Sequence, residues 1–111
     1  MQVIYIAGKY RAKTERELVE NIRHAEAAAI RLWKRGYAVI CPHMNSAHMG
    51  GTCPDQVFID GDLEILKRCD AIYMLDNCTE SEGAKLELAT AAKNNKLIYF
   101  EWDNSFGEYG D

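Results

Sequence analysis

The sequence predicts an α/β domain built on a parallel sheet with helices on both faces. Three observations carry this. Short apolar runs rich in β-branched residues alternate with longer segments whose apolar residues recur every three or four positions. The order along the chain is β-α-β-(loop)-α-β-α-β, the pattern of parallel strands joined by crossover helices. The polar, glycine-containing stretches follow the strands, where a sheet of this kind keeps its ligand sites.

The elements follow in order. "QVIYIAG" is a buried strand that ends at Gly8. "TERELVENIRHAEAAAIRLWKRG" is an amphipathic helix, with Leu18, Ile22, Ala25, Ala29 and Trp33 on one stripe. Thr14 and Glu17 have the capping-box spacing at its start, and Gly36 supplies the stop. "YAVIC" is the second strand. The stretch from Pro42 to Gln56 holds both prolines, two histidines and a Gly-Gly without periodicity, so it reads as a long loop. A helix resumes at Asp55, with Val57, Phe58, Leu63 and Leu66 as its apolar positions. "AIYML" (71–75) is the third strand, "EGAKLELATAAKNN" the third helix, and "KLIYF" (96–100) the fourth strand. The last eleven residues, "EWDNSFGEYGD", carry no period.

The totals bound the function. A chain of 111 residues without repeats is expected to form one domain, 1–111. The net charge of -4 argues against a general binder of nucleic acid or anionic membrane. No apolar run approaches the ~20 residues of a membrane helix, and "MQVIYIAGKY" lacks the pattern of a signal peptide. The cysteines at 41, 53, 69 and 78 form no CxxC pair, and Cys41 and Cys69 border apolar runs. They read as small core residues of a reducing compartment, which makes a cytoplasmic protein the expectation.

The architecture directs attention to the loops at 8–14, 42–56 and 76–83. In the first, a glycine at a strand end is followed by Lys9, Arg11 and Lys13 and then a helix start. Backbone N–H groups and the helix dipole favour an anion such as phosphate there, while the plainer reading is a solvated basic turn. The pattern is neither a P-loop nor G-x-G-x-x-G. In the second, Cys41, His43, His48 and Cys53 have the spacing C-x-H-x4-H-x4-C, which fits no structural zinc pattern, so no metal is expected. His43, just past a strand end, reads as a ligand-facing side chain or a hydrogen-bonded loop residue. Asp60, Asp62, Glu64 and Asp70 surround a helix, where most acids are surface charge. Asp62 lies beside Leu63, nearer the buried edge.

The third loop leads into S-x-G-x-x-x-E, with Ser81, Gly83 and Glu87. Gly83 permits a tight turn and a close ligand approach. Glu87 lies one turn into the helix. Facing the cleft, it would be partly desolvated and able to attack an anomeric carbon, with Asp62 as the acid that handles the proton. Facing away, it is ordinary surface charge.

These residues carry a resemblance. "IDGDLEILKRCDAIYMLDNCTESEGAKLELATAAKNNK" is similar to the core of the nucleoside 2-deoxyribosyltransferase superfamily, and most similar to its 2'-deoxynucleoside 5'-monophosphate N-glycosidase branch. The match runs from Asp62-Leu63 to Asp70, through the following strand, and on to Ser81, Gly83, Glu87, Leu88 and Ala91. "YIAGKYRA" and "CPH" (41–43) resemble the branch's opening strand and its histidine-bearing strand end. The resemblance implies a flavodoxin-like, Rossmann-type three-layer sandwich with a four- to five-stranded parallel sheet. It makes Glu87 the nucleophile, Asp62 the proton-handling acid, and Tyr5 the residue that orients either through its hydroxyl.

It also implies a phosphate pocket formed by Gly8, Lys9, Tyr10 and Arg11, joined by His43 and Gly83. Ser81 stands where the transferases carry aspartate; a hydroxyl accepts a 5'-phosphate that a carboxylate would repel. The branch's glycine-rich phosphate loop is replaced here by Lys9-Tyr10-Arg11-Ala12-Lys13. The expected activity is hydrolysis of the N-glycosidic bond in a (2'-deoxy)nucleoside 5'-monophosphate. Base exchange between deoxynucleosides is the related alternative, and nucleotide binding without turnover the third. No cofactor is implied. The partner is a small nucleotide or nucleoside, and the resemblance implies a homo-oligomer, a dimer or larger, with shared sites. "WDNSFGEYGD" would be the segment that reaches the neighbour.

Overall fold

The computed structural model describes residues 1–103. The elements are β1 (Val3–Ala7), α1 (Glu15–Lys34), β2 (Ala38–Ile40), α2 (Pro42–Asn45), α3 (Asp55–Lys67), β3 (Ala71–Met74), a 3-10 helix (Asp76–Glu80), α4 (Glu82–Lys93) and β4 (Leu97–Phe100). The strands form one parallel sheet in the order β2-β1-β3-β4. Strand order reverses at β1, whose two neighbours follow it in sequence on opposite sides. The carboxyl ends of β1 and β3 therefore open a crevice for a ligand. The expected four- to five-stranded sheet is present with four strands among the described residues. Residues 104–111 lie outside the described residues, and with them most of the segment expected to reach a neighbouring site.

Alternation along the strands divides the core into two layers. Ile4, Ile6, Ala71, Tyr73 and Leu75 pack with Ala25, Ala28, Ala29 and Leu32 of α1. Tyr5, Ala7, Ile72 and Met74 face the other way, onto Leu66 of α3 and Ala84 and Ala91 of α4. Tyr5 is thus placed by strand parity on the same side of the sheet as α3 and α4.

Local signals set the helix ends. Thr14 Oγ1 accepts from Glu17 N at 3.1 Å and starts α1. At its end Gly36, with φ +93°, donates to Trp33 O while Tyr37 N reaches Leu32 O, the paired bonds of a Schellman turn. α4 ends the same way with Asn95 at φ +58°: Asn95 N bonds Ala92 O and Lys96 N bonds Ala91 O.

Four expectations need correction. Trp33 is 56% exposed; the buried stripe of α1 runs 25, 28, 29, 32, and Trp33 falls past its edge. Val57 is 54% exposed because only the later turns of α3 reach the core, at Leu66. The stretch 42–56 is not all loop: Pro42, with its fixed φ, opens the one-turn helix α2. The loop after β3 likewise contains a 3-10 turn at Asp76–Glu80.

Candidate active site

A cleft of about 770 Å³ opens at the carboxyl edge of the sheet. Its walls come from the loop after β1, from α2, from α3 and from the start of α4. Of the site residues read from the sequence, Gly8, Lys9, Tyr10, Arg11, His43, Asp62, Ser81, Gly83 and Glu87 line it. Tyr5 lies behind the wall, 0% exposed. Lys13 is exposed and does not line the cleft.

The centre of the site is Glu87. Parity of β1 sends Tyr5 beneath α4, and its hydroxyl donates to Glu87 Oε2. Burial pushes the Glu87 carboxyl up to about 7; the Tyr5 hydrogen bond works against this and the charge of Asp62 adds to it. Burial, then the Glu87 charge, holds the Tyr5 hydroxyl far above its ordinary range, so it stays a donor. Asp62 is also raised, by burial. Two carboxyls with raised proton affinity thus face one cleft. One is held by a neutral donor, the arrangement from which acid and nucleophile roles can divide. The other acids of α3 take the plain reading. Asp60 accepts from Gln56, Glu64 pairs with Arg68, and Asp70 accepts from Val3 N.

The start of α4 forms another wall of the cleft. Ser81 is its N-cap, and its Oγ accepts from Ala84 N at 3.1 Å. The N–H groups of the first turn, near Gly83, present the positive end of the helix dipole to the cleft. Two cations line the same wall, each with a carboxylate partner. Lys9 Nζ lies 3.4 Å from Glu80, and Arg11 Nη2 lies 3.0 Å from Asp55. The Arg11–Asp55 pair is exposed on both sides and Lys9 is half-buried against an exposed Glu80, so each pair is weakly held.

His43 is 5% exposed, and its Nε2 donates to Lys9 O at 3.0 Å. Burial lowers its proton affinity, so the ring is a neutral donor to the loop rather than a cation for phosphate. Its edge meets Tyr10 at a centroid distance of 5.7 Å. Among the described residues no group of three or more His, Cys, Asp and Glu side chains converges as a metal site, and His48 is exposed.

Sequence reasoning missed the carboxylate partners Asp55 and Glu80, and it missed Asn77. The only signal for Asn77 was its position, three residues past the β3 end in a loop already marked as ligand-facing. On the apolar side of the cleft, Phe58 and Leu63 were read only as apolar positions of a helix, and Ile59 was not singled out.

A family model described as a domain of unknown function, DUF4406, matches residues 2–100. The chain belongs to the DUF4406 family. No curated protein matches it. Among solved structures, this DUF4406 chain is similar to the 2-deoxyribosyltransferase of the psychrotolerant bacterium Bacillus psychrosaccharolyticus. The TM-score is 0.69 at 21% identity, covering 88% of this chain and 70% of that one. It is also similar to a 2-desoxiribosyltransferase from Leishmania mexicana, with TM-score 0.64 at 19% identity, covering 90% of this chain and 63% of that one. The DUF4406 chain thus spans roughly two thirds of either neighbour's length, and at these identities the likeness establishes the fold they share.

Proposed function

We propose that this protein is an enzyme that cleaves the N-glycosidic bond of a (2'-deoxy)nucleoside 5'-monophosphate through a covalent glycosyl ester on Glu87. The observation that carries the reading is the half-buried Glu87 carboxyl, held by the Tyr5 hydroxyl and sharing its cleft with Asp62. A partly desolvated carboxylate fixed at a crevice edge is suited to attack at a sugar carbon.

In the first step a Glu87 oxygen bonds to the anomeric carbon as the carbon–nitrogen bond breaks. The electron pair leaves with the base, and Asp62 supplies a proton to it. In the second step water, giving its proton back to Asp62, attacks the same carbon and displaces the Glu87 carboxylate. The products are free base and sugar phosphate. Tyr5 donates throughout to the Glu87 oxygen and steadies it when charged. The 5'-phosphate takes the place of Glu80 and Asp55 beside Lys9 and Arg11, at the start of α4 near Ser81 and Gly83.

The fold's neighbours, described as 2-deoxyribosyltransferases, favour base exchange as a second reading. A second base would replace water in the second step and nothing else would change. One assay separates the readings. The protein is incubated with deoxynucleoside monophosphates and with deoxynucleosides, with and without a free second base, and products are followed by chromatography. Free base from a monophosphate alone supports hydrolysis, and a new nucleoside made only with the second base supports transfer. Stabilisation by ligand without product supports a binder. Glu87→Ala is expected to lose at least about a thousandfold in rate; turnover equal to the native protein rejects the mechanism.

A further inference from the structure

We propose that Asn77 is a positioning residue for the anion-binding loop after β1, acting through the backbone of Lys9. Both ends of its side-chain amide are committed. Asn77 Oδ1 accepts from Lys9 N at 2.9 Å, and Nδ2 donates to His24 Nδ1 at 3.4 Å. The opposite orientation of the amide would set an N–H₂ against the Lys9 N–H. His24 is held in turn through its other nitrogen, with Nε2 2.8 Å from Glu101 Oε1.

Glu101 is itself well anchored. Its side chain is 12% exposed, it accepts from Asp76 N at 2.8 Å, and it pairs with Arg31 at 2.8 Å. A chain of hydrogen bonds therefore runs from the end of β4, through α1 and the 3-10 turn, to the loop after β1.

Lys9 is held from its other side as well, because its carbonyl accepts from His43 Nε2. The peptides on both sides of Lys9 are fixed by side chains from two different loops. Gly8 makes the approach possible. A Cβ there would lie 2.9 Å from Asn77 Oδ1 and 2.5 Å from Leu75 Cδ1. The loop's direction over the start of α4, and so the reach of Lys9 and Arg11, is set before a ligand arrives. Preorganisation of this kind appears as affinity for the group the loop binds.

The inference rests on the proposed function only for the choice of ligand, and the test keeps the two apart. Amide exchange at Lys9 is measured in the ligand-free protein, and KM and kcat are measured for a deoxynucleoside monophosphate and for the same deoxynucleoside without phosphate. Asn77→Ala is expected to lose protection at the Lys9 amide. It is expected to raise KM for the monophosphate about five- to tenfold, the scale of one lost hydrogen bond. The change in kcat stays within about threefold, and KM for the unphosphorylated substrate within about twofold. His24→Phe, which frees the Asn77 amide, is expected to shift both readouts in the same direction by less, and serves if the alanine variant does not fold.

Unchanged Lys9 protection, or equal effects on both substrates, overturns the inference. A native protein that turns over neither substrate rejects the proposed function instead, and the Lys9 amide still decides the role of Asn77.

Discussion

Glu87 owes its character to two neighbours and to burial. A carboxyl pushed up to about 7 is divided between its two forms near neutrality, and in the proposed mechanism only the ionised form attacks. If the first step limits turnover, the rate rises with pH through that region. The Tyr5 hydroxyl is the one cause that lowers the proton affinity of Glu87, so Tyr5→Phe moves the rising limb to higher pH. Losing a hydrogen bond to a charged group corresponds to about one pH unit. The expected outcome is a limb displaced upward by that amount and kcat about fivefold lower at pH 7, where the ionised fraction falls from about one half to about one tenth. A profile that keeps the native midpoint, measured on an unphosphorylated substrate to avoid titrating phosphate, would remove Tyr5 from the mechanism. At this scale the sequence was informative where a side chain's role depends on its own element. Glu87, Ser81 and Gly83 share one helix start, and their spacing alone groups them. Asn77 was not legible, because its role depends on Lys9 and His24, 68 and 53 positions away.

The elements fall into two classes by how their ends are set. The long ones, α1 and α4, were legible because a dozen or more residues repeat their period and both are closed by local chemistry. Elements of four or five residues, α2 and the 3-10 turn, have no period to read; they exist because Pro42 and the chain reversal after β3 favour a single turn. The period of α1 was legible but the edge of its buried stripe was not: four alanines beside Leu32 mark that edge weakly, and Trp33 was placed inside. The two helix ends offer a matched test. Gly36 sits at φ +93°, beyond where a side chain is comfortable, whereas Asn95 at φ +58° lies in the region that Asn tolerates. Gly36→Ala is expected to cost about 1–2 kcal/mol in denaturant unfolding. Asn95→Gly is expected to change stability by less than about 0.5 kcal/mol, since both residues serve at this cap. Equal losses at the two sites would show that space, rather than backbone conformation, governs these ends.

For the molecule as a whole, the candidate site sets stability against pH from the alkaline side. Glu87 has a higher proton affinity in the folded chain than its ordinary 4.5. Between 4.5 and about 7 the folded state therefore binds more protons than the unfolded state, and stability falls as pH rises through that window. Glu101 does the opposite. Burial disfavours its charge, but hydrogen bonds from Asp76 N, His24 and Arg31 outweigh burial and hold it below its ordinary value. Its contribution is complete above the ordinary carboxylate range and is lost on acidification.

The displacement of Glu87 corresponds to roughly 3 kcal/mol at 1.36 kcal/mol per pH unit, less whatever the open cleft screens. Glu87→Gln keeps an acceptor for Tyr5 and mimics the neutral acid. It is therefore expected to be more stable than the native chain by about 1–3 kcal/mol at pH 8, with the difference vanishing toward pH 4.5. The acid-side loss through Glu101 should be untouched in that variant. Unfolding midpoints across pH 4–9 measure both limbs. A variant no more stable than the native chain at pH 8 would mean that Glu87 is solvated like any surface acid. A gain confined to the alkaline side, in a protein that has lost turnover, would mean that the fold carries an unfavourable ionised carboxylate for the sake of its chemistry.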